Sequence, residues 1–420
     1  WEARNDLLRD VREQALKHFT EQSFPTTRHE EWKYTNVKKI ANASWDQNAP
    51  HEVTKEELGE ILFADSEDVS LLVLINGQYQ PDLSSVKTSE GITVLPLSEA
   101  LKSQEALVKE HLGKYADDQV DAFTSLNTAF ASEGVFMHGP KSKVEERRVV
   151  LLHLNDSRKS APIAQPRSLI IVEENAQATV VEQFASIGEG NSFTNVITEA
   201  SVAKHGRLDH YKLRMAGATH HQVGTVQAYQ AGESYFANTA ISLDGGIVRN
   251  NLNIALDGEY CESFMNGLFL LDNKTHVDNH TAVDHRKPNS ESNELYKGMV
   301  DGKSRGVFNG KIFVREHAQK TDAFQSNNNL ILSDKASVDT KPQLEIWADD
   351  VKCSHGATIG ALDEEPLFYL RSRGIPESSA RSLLMYAFAG DVLDRIKVKA
   401  VRQYVDKVMS NRLGYEFGSE

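Results

Sequence analysis

The chain has 420 residues, 40% of them hydrophobic, enough to build a sizeable core and two or three domains. Its 60 acidic and 46 basic residues leave a formal charge of −14, which repels phosphate backbones and excludes a broad basic face for nucleic acid. Two cysteines, Cys261 and Cys353, exclude a disulfide framework; no apolar run approaches the roughly 18 residues of a membrane span and no secretory leader is visible, so a soluble, cytoplasmic protein with neither nucleic-acid nor membrane partners is expected.

Residues 1–22 read as an amphipathic helix, with Leu7, Leu8, Val11, Ala15, Leu16 and Phe19 at helical spacing and Pro25 as its stop. In "RHEEWKYTNV", Trp32 and Tyr34 sit among charges, a pattern that suits an aromatic anchor beneath a loop. "VSLLVLINGQYQPDL" predicts a strand, a hairpin turn at Asn76 and Gly77, and a returning strand. Residues 98–116 turn helical again, so residues 1–148 are expected to form a helical and mixed α/β region.

From Val149 the helical period disappears and short alternating strands follow one another, among them "VVLLHL", "SLIIVEE", "NLNIALDG", "GKIFV" and "QLEIWA". A turn phrase of an acid, Gly or Asn and a small residue returns between them. Its markers Gly258, Asn273, Gly302, Ala318 and Lys335 are spaced by 15, 29, 16 and 17 residues, a degenerate repeat near 15 with longer units of about 26–30 upstream. A step this short without helices points to a β-solenoid over residues 149–362, whose coils bury their inward side chains only against one another. An antiparallel sandwich, which also uses short strands and turns, is the competing architecture. "NNN" at Asn327–Asn329 fits a turn with amides laddered between coils.

Residues 363–420 read as a C-terminal helical domain. One helix ends at Gly374, a natural left-handed cap, and another restarts after Pro376 with the stripe Ala380, Leu383, Leu384, Ala387, Phe388, Val392 and Ile396. Because the last coil of a solenoid needs a cover, these helices are expected to cap its end and to offer a partner surface.

Chemistry has few candidates. His276, Asp278 and His280 would share one face of a strand, with Asp284 and His285 nearby; a metal site and a solvated outer face both fit this pattern. Nothing matches GxxxxGK[ST] or GxGxxG, so any nucleotide would be bound by another protein. In "KPQLEIWADDVKCSHGATIG", Val351, Cys353 and His355 would point to one face of a strand. One thiol and one imidazole make half a metal site, to be completed by another surface; a packed cysteine beside a hydrogen-bonded histidine is the plainer reading.

The stretch "TDAFQSNNNLILSDKASVDTKPQLEIWADDVKCSHGATIGALDEEPLFYLRSRGI", with "RHEEWKYT" and "YKGMVDGKSRGVFNGKI", resembles the SufB/SufD family of iron–sulfur cluster assembly proteins, and the likeness runs from Arg28 to about Ile396. The resemblance implies a mainly β fold: a right-handed parallel β-helix flanked by an N-terminal α/β region and a C-terminal helical domain. It implies a non-catalytic scaffold, not an enzyme, with SufB and the ATPase SufC as partners; the edge strands of a β-helix, which a partner can continue, lead to the expectation of a homodimer when isolated. SufC would dock on the C-terminal helices through Arg371, Arg373, Gly374, Leu383, Leu384 and Phe388. SufB-like members carry a cluster-building cysteine where this chain has Leu370, and they lack the "CSHGAT" wording, so the likeness is to the SufD side of the family. There His355 would contribute to a transient iron–sulfur cluster at the SufB–SufD interface, with Cys353 beside it in a less defined role and no cofactor stably bound. A β-helix enzyme acting on polysaccharide is the alternative from another class.

Overall fold

The computed structural model describes residues 8–63, 69–117, 119, 121–131 and 133–414. In chain order the first third holds α1 (Arg9–Gln22), α2 (Lys38–Ala41), α3 (Lys55–Ile61), β1 (Val69–Ile75), β2 (Gln78–Tyr79), β3 (Thr93–Pro96), α4 (Leu97–Ser103), α5 (Glu105–His111), α6 (Ala122–Phe130) and β4 (Val135–Gly139). A continuous run of strands follows: β5 (Arg148–Asp156), β6 (Ile163–Ala164), β7 (Arg167–Val172), β8 (Gln177–Ile187), β9 (Ser192–Val202), β10 (Arg207–Met215), β11 (His220–Gln230), β12 (Tyr235–Ser242), β13 (Ile247–Leu256), β14 (Glu262–Leu271), β15 (His276–His285), β16 (Glu291–Val300), β17 (Arg305–Val314), β18 (Asp322–Ile331), β19 (Ser337–Ile346) and β20 (Lys352–Gly360). Three helices end the described chain: α7 (Glu364–Ser372), α8 (Glu377–Leu393) and α9 (Lys399–Leu413).

From β8 onward successive strands alternate between two sheets. One runs β2-β1-β5-β8-β10-β12-β14-β16-β18-β20 and the other β19-β17-β15-β13-β11-β9-β7-β4-β3. Within each sheet the coils pair in parallel, with steps of 27 to 31 residues in the register Tyr235, Glu262, Glu291, Asp322, Lys352. This is a parallel β-helix, two strands to a coil, as the repeat near 15 residues predicts. The turns fit their residues: Asn273 (φ 53°) and Gly302 (φ 63°) hold the same left-handed position on consecutive coils, where Asn and Gly meet the least strain. Inside, each coil is shaped to the next. A Cβ on Gly267 would stand 2.1 Å from the Tyr296 ring, so only glycine admits that ring.

Alternation divides the strands into three layers. Leu72, Leu151, Phe236, Met265, Tyr296 and Phe308 fill the space between the sheets. On the outer face of the first sheet, Leu71, Leu152, Leu213, Leu268, Leu295 and Met299 pack against Ala389, Val392, Leu393, Val401, Val405 and Met409 of α8 and α9. On the outer face of the second, Phe193, Val223 and Ile247 meet Trp32, Val37, Ile40 and Phe123 of the N-terminal region. Each fully buried Leu or Phe contributes about 1.5–3 kcal/mol, so the side layers hold the solenoid as firmly as its interior.

Several expectations change here. The C-terminal helices do not cap the solenoid; α8 and α9 lie along its side, because the first sheet presents apolar side chains on both faces and the outer one must be covered. In α8 the buried face carries Ser382, Ala389, Val392 and Leu393, while Ala387 of the expected stripe is exposed. In α1 Arg12 is buried in place of the exposed Val11, and its guanidinium donates to the Ala131 carbonyl at 3.0 Å. Residues 1–7 of that expected helix, Leu7 among them, lie outside the described residues. Asn327–Asn329 form no turn: they sit within β18, with Asn327 and Asn329 facing inward and joined amide to amide at 2.7 Å. The strand and hairpin at Asn76–Gly77 form as expected, and β1 joins β5 in parallel.

Candidate functional site

The final coil is built from β19 and β20, which are the last strands of their sheets and each pair on one side only. Cys353 is the register partner of Ala323, and His355 of Gln325. Ala323 and Gln325 are buried side chains of the solenoid interior, so Cys353 and His355 point along that same inward face. Among the described residues no further coil covers them. His355 is therefore exposed although its side chain faces the axis, and among the described residues its ring has no hydrogen-bond partner.

Cys353 is half-buried and packs on the cluster of Ile312, Val314 and Ala323 with Leu344 and Val351. Burial and the nearby Asp322 carboxylate push its thiol above the ordinary range, against the opposing hydrogen bond from the Ala323 backbone. At neutral pH it is a thiol, not a resting thiolate ligand. Among the described residues no group of three or more His, Cys, Asp and Glu side chains is arranged to hold a metal ion. Cys353 and His355, about 7 Å apart along the strand, are thus an incomplete set of soft and borderline donors.

The open end is rimmed by apolar surface. Phe324, Ile346, Trp347 and Ile359 are each between 40% and 50% exposed. Just beyond β20, Asp363 caps α7 by accepting from the Glu365 backbone N–H at 3.0 Å, and Phe368 and Tyr369 project from that helix as its most exposed apolar residues. Gly374 (φ 89°) closes the turn after α7, with its N–H on the Arg371 carbonyl. Arg371 pairs with Glu377 at 3.4 Å and the Arg373 guanidinium lies over the Tyr369 ring. Leu383 and Leu384 are half-exposed, whereas Phe388 packs on the side cluster. The turn and the two leucines thus lie outside the helix–sheet seam, and Phe388 lies within it.

The histidines of β15 are taken up by structural bonds. Asp278 is buried and accepts from Arg249 at 2.7 Å and from the Thr35 hydroxyl; His276 meets that hydroxyl at 2.8 Å and His280 lies 3.0 Å from Asp278. This network fastens the N-terminal segment to the second sheet. His285 points inward to the Ser292 hydroxyl, and burial holds its imidazole near a pKa of about 4, hence neutral.

Sequence reasoning missed a polar chain inside the solenoid. Asn238 donates to His210 Nδ1 at 2.7 Å, so His210 Nε2–H donates to Glu182 at 3.2 Å. Burial alone would raise Glu182, but His210, Lys212 and His153 outweigh it and hold the carboxylate at about 2. Further along, Glu294 accepts from Gln325 at 2.7 Å while its other oxygen, Oε1, is buried without a hydrogen bond. Burial raises this carboxyl to about 7. The one signal in the sequence was polar residues at the inward positions of otherwise apolar strands, as in "SNELYKG".

Residues 153–388 match the SUF system FeS cluster assembly SufBD core domain, and residues 2–151 match the SufBD protein N-terminal region. The chain is 31% identical to the iron–sulfur cluster assembly protein SufD of Escherichia coli K12, over 96% of this chain and 92% of that protein. A SufBD family protein of Synechocystis is 31% identical over 92% of this chain and 87% of its own, and SufD of Bacillus subtilis is 25% identical over 97% and 94%.

Proposed function

The chain belongs to the SufBD family of SUF-system iron–sulfur cluster assembly proteins, and from that membership we propose that it is a non-catalytic scaffold subunit acting with SufB and the ATPase SufC. The observation that carries the proposal is the open final coil, where an imidazole without a hydrogen-bond partner among the described residues stands on an edge strand paired on one side only, inside an apolar rim. An edge strand offers its backbone to another strand, and the exposed aromatic and aliphatic side chains around it suit an interface core. SufB supplies that partner strand, and in its absence a second copy of this chain does so. The cluster is cargo held between the subunits: His355 gives one borderline ligand and SufB gives thiolate, a mixture of imidazole and thiolate that iron accepts.

The second partner surface is α7 with the turn after it. Phe368, Tyr369, Arg371, Arg373 and the half-exposed Leu383 and Leu384 receive SufC, whose nucleotide site accounts for the missing phosphate-binding glycine loop. The described residues include no helix long and apolar enough to cross a membrane. A polysaccharide-active enzyme is not favoured by the family match.

The test is co-expression with tagged SufC and untagged SufB. Recovery of all three chains together, with loss of SufC from a Phe368→Glu, Tyr369→Glu variant that still holds SufB, is the expected result. A chain that co-purifies with neither would overturn the scaffold reading.

A further inference from the structure

On the outer face of the second sheet, where the segment around Tyr34 crosses the turns of consecutive coils, lies a groove of about 740 Å³. That is the size of a small-molecule site. Its lining includes Lys39, Lys274, Lys303, Arg305, His221 and His276, and no carboxylate. In a chain of net charge −14 the charged side chains of this lining are cationic alone.

The cations are stacked by the fold. Lys274 and Lys303 each precede by two residues the register pair His276 and Arg305, and the Lys303 backbone N–H donates to the Asn273 carbonyl at 2.7 Å. The two turns are therefore one strand spacing apart, about 4.8 Å, and each contributes a lysine to the groove. Like charges so placed repel. Among the described residues Lys39, Lys274 and Lys303 have no ion-pair partner. The nearby carboxylates are turned to other groups: Asp339 to Arg305, Asp272 to Arg412, Asp301 to the Gly302 backbone and Asp244 to the Gly245 backbone.

The two histidines are fixed in tautomer. His221 Nδ1 accepts from the Ile247 backbone N–H at 3.0 Å, which leaves its proton on Nε2 as a donor. Burial first, then Lys39 and Arg214, hold that ring near a pKa of about 4, so it stays neutral. The Thr35 hydroxyl spends its proton on Asp278 and so accepts from His276 Nε2, leaving Nδ1 as that ring's acceptor. One fixed N–H donor on His221, three lysines without an ion-pair partner and one acceptor on His276 match a phosphate group with an attached hydroxyl.

We propose that this groove binds a phosphate-bearing small molecule, its phosphate held by Lys39, Lys274 and Lys303. The site is separate from the open final coil. The phosphate is carried either by an inorganic polyphosphate or by an organic ester, and two probes distinguish them.

The experiment is calorimetric titration of the full chain with inorganic pyrophosphate and, separately, with ribose 5-phosphate, with thermal unfolding in each as a second readout. Saturable, salt-sensitive binding of at least one probe is expected, weakened about tenfold or more in Lys274→Gln, Lys303→Gln. Lys287→Gln, an exposed lysine outside the groove, should leave binding unchanged. Tighter binding of ribose 5-phosphate would assign an organic phosphate, and tighter binding of pyrophosphate an inorganic one. Failure of both probes to bind or to raise the unfolding temperature would overturn the proposal. So would equal losses in the groove variant and in Lys287→Gln, since attraction would then come from general surface charge.

Discussion

Gln325 and His355 are register partners on the last two coils of the first sheet, and Gln325 in turn donates to the buried Glu294 at 2.7 Å. The interior of the solenoid thus leads from a carboxyl poised near neutrality to the exposed imidazole at its open end.

Glu294 should make stability depend on pH. Its pKa is raised by burial to about 7 in the folded chain, above its ordinary value of 4.5. The folded state therefore holds a proton that the unfolded state has released, and stability falls as pH rises from about 4.5 through about 7. Glu294→Gln should remove this loss, giving a gain on the order of 2–3 kcal/mol above pH 7 and little change near pH 4.5. Urea unfolding of both proteins across that range reads the difference. Buried neutral histidines such as His153 and His285 act in the opposite sense but cancel between the two proteins. Parallel curves for wild type and variant would refute the assignment.

Lys297 fastens α8 to the solenoid. Its buried ammonium donates to the Phe388 carbonyl at 2.8 Å and to Asp391 at 2.5 Å, and it lies 4.7 Å from the Phe388 ring centre. Lys297→Ala should cost about 2 kcal/mol, mostly from the lost charge-assisted bond to the part-buried Phe388 carbonyl, since the Asp391 side chain is solvated. Amide exchange should quicken in α8 more than in β16. Uniform protection in the two elements would contradict this role.

Arg167 and Glu199 form a buried pair on the second sheet, with Arg167 Nε and Nη2 at 3.1 and 2.9 Å from one Glu199 oxygen. Glu199 also accepts from the backbone N–H groups of Gly113, Tyr115 and Ala116, so one carboxylate ties the loop after α5 to β9. Arg167→Ala should cost about 3–5 kcal/mol by leaving that charge buried and uncompensated. Limited proteolysis should then cut near residues 112–116, where wild type resists.

Periodicity carried most of the architecture. The repeat near 15 residues and the alternation in "NLNIALDG" are direct images of two strands per coil, and the solenoid could be read from them. What escaped were features that depend on a distant partner. Arg12 is buried because the Ala131 carbonyl waits for it, and the Asn327–Asn329 amides lie in a strand because Tyr296 and Thr358 backbones accept from them. α6 was missed because it is buried almost all round, and a helix without a polar face shows no amphipathic stripe. Cys353 and His355 stand out in the sequence by their spacing and by the family resemblance of "CSHGAT". Their inward aim at an uncovered coil needed the register with Ala323 and Gln325, which no local pattern contains.

The central claim, that His355 helps hold a nascent cluster at the open end, is tested most directly by the iron and acid-labile sulfide content of the complex co-expressed with SufB and SufC and purified without oxygen. His355 has no hydrogen-bond partner among the described residues, so His355→Ala should leave folding and assembly unchanged. The expected result is an intact complex with severalfold less iron and sulfide than wild type. An intact complex carrying the wild-type content of both would contradict the claim.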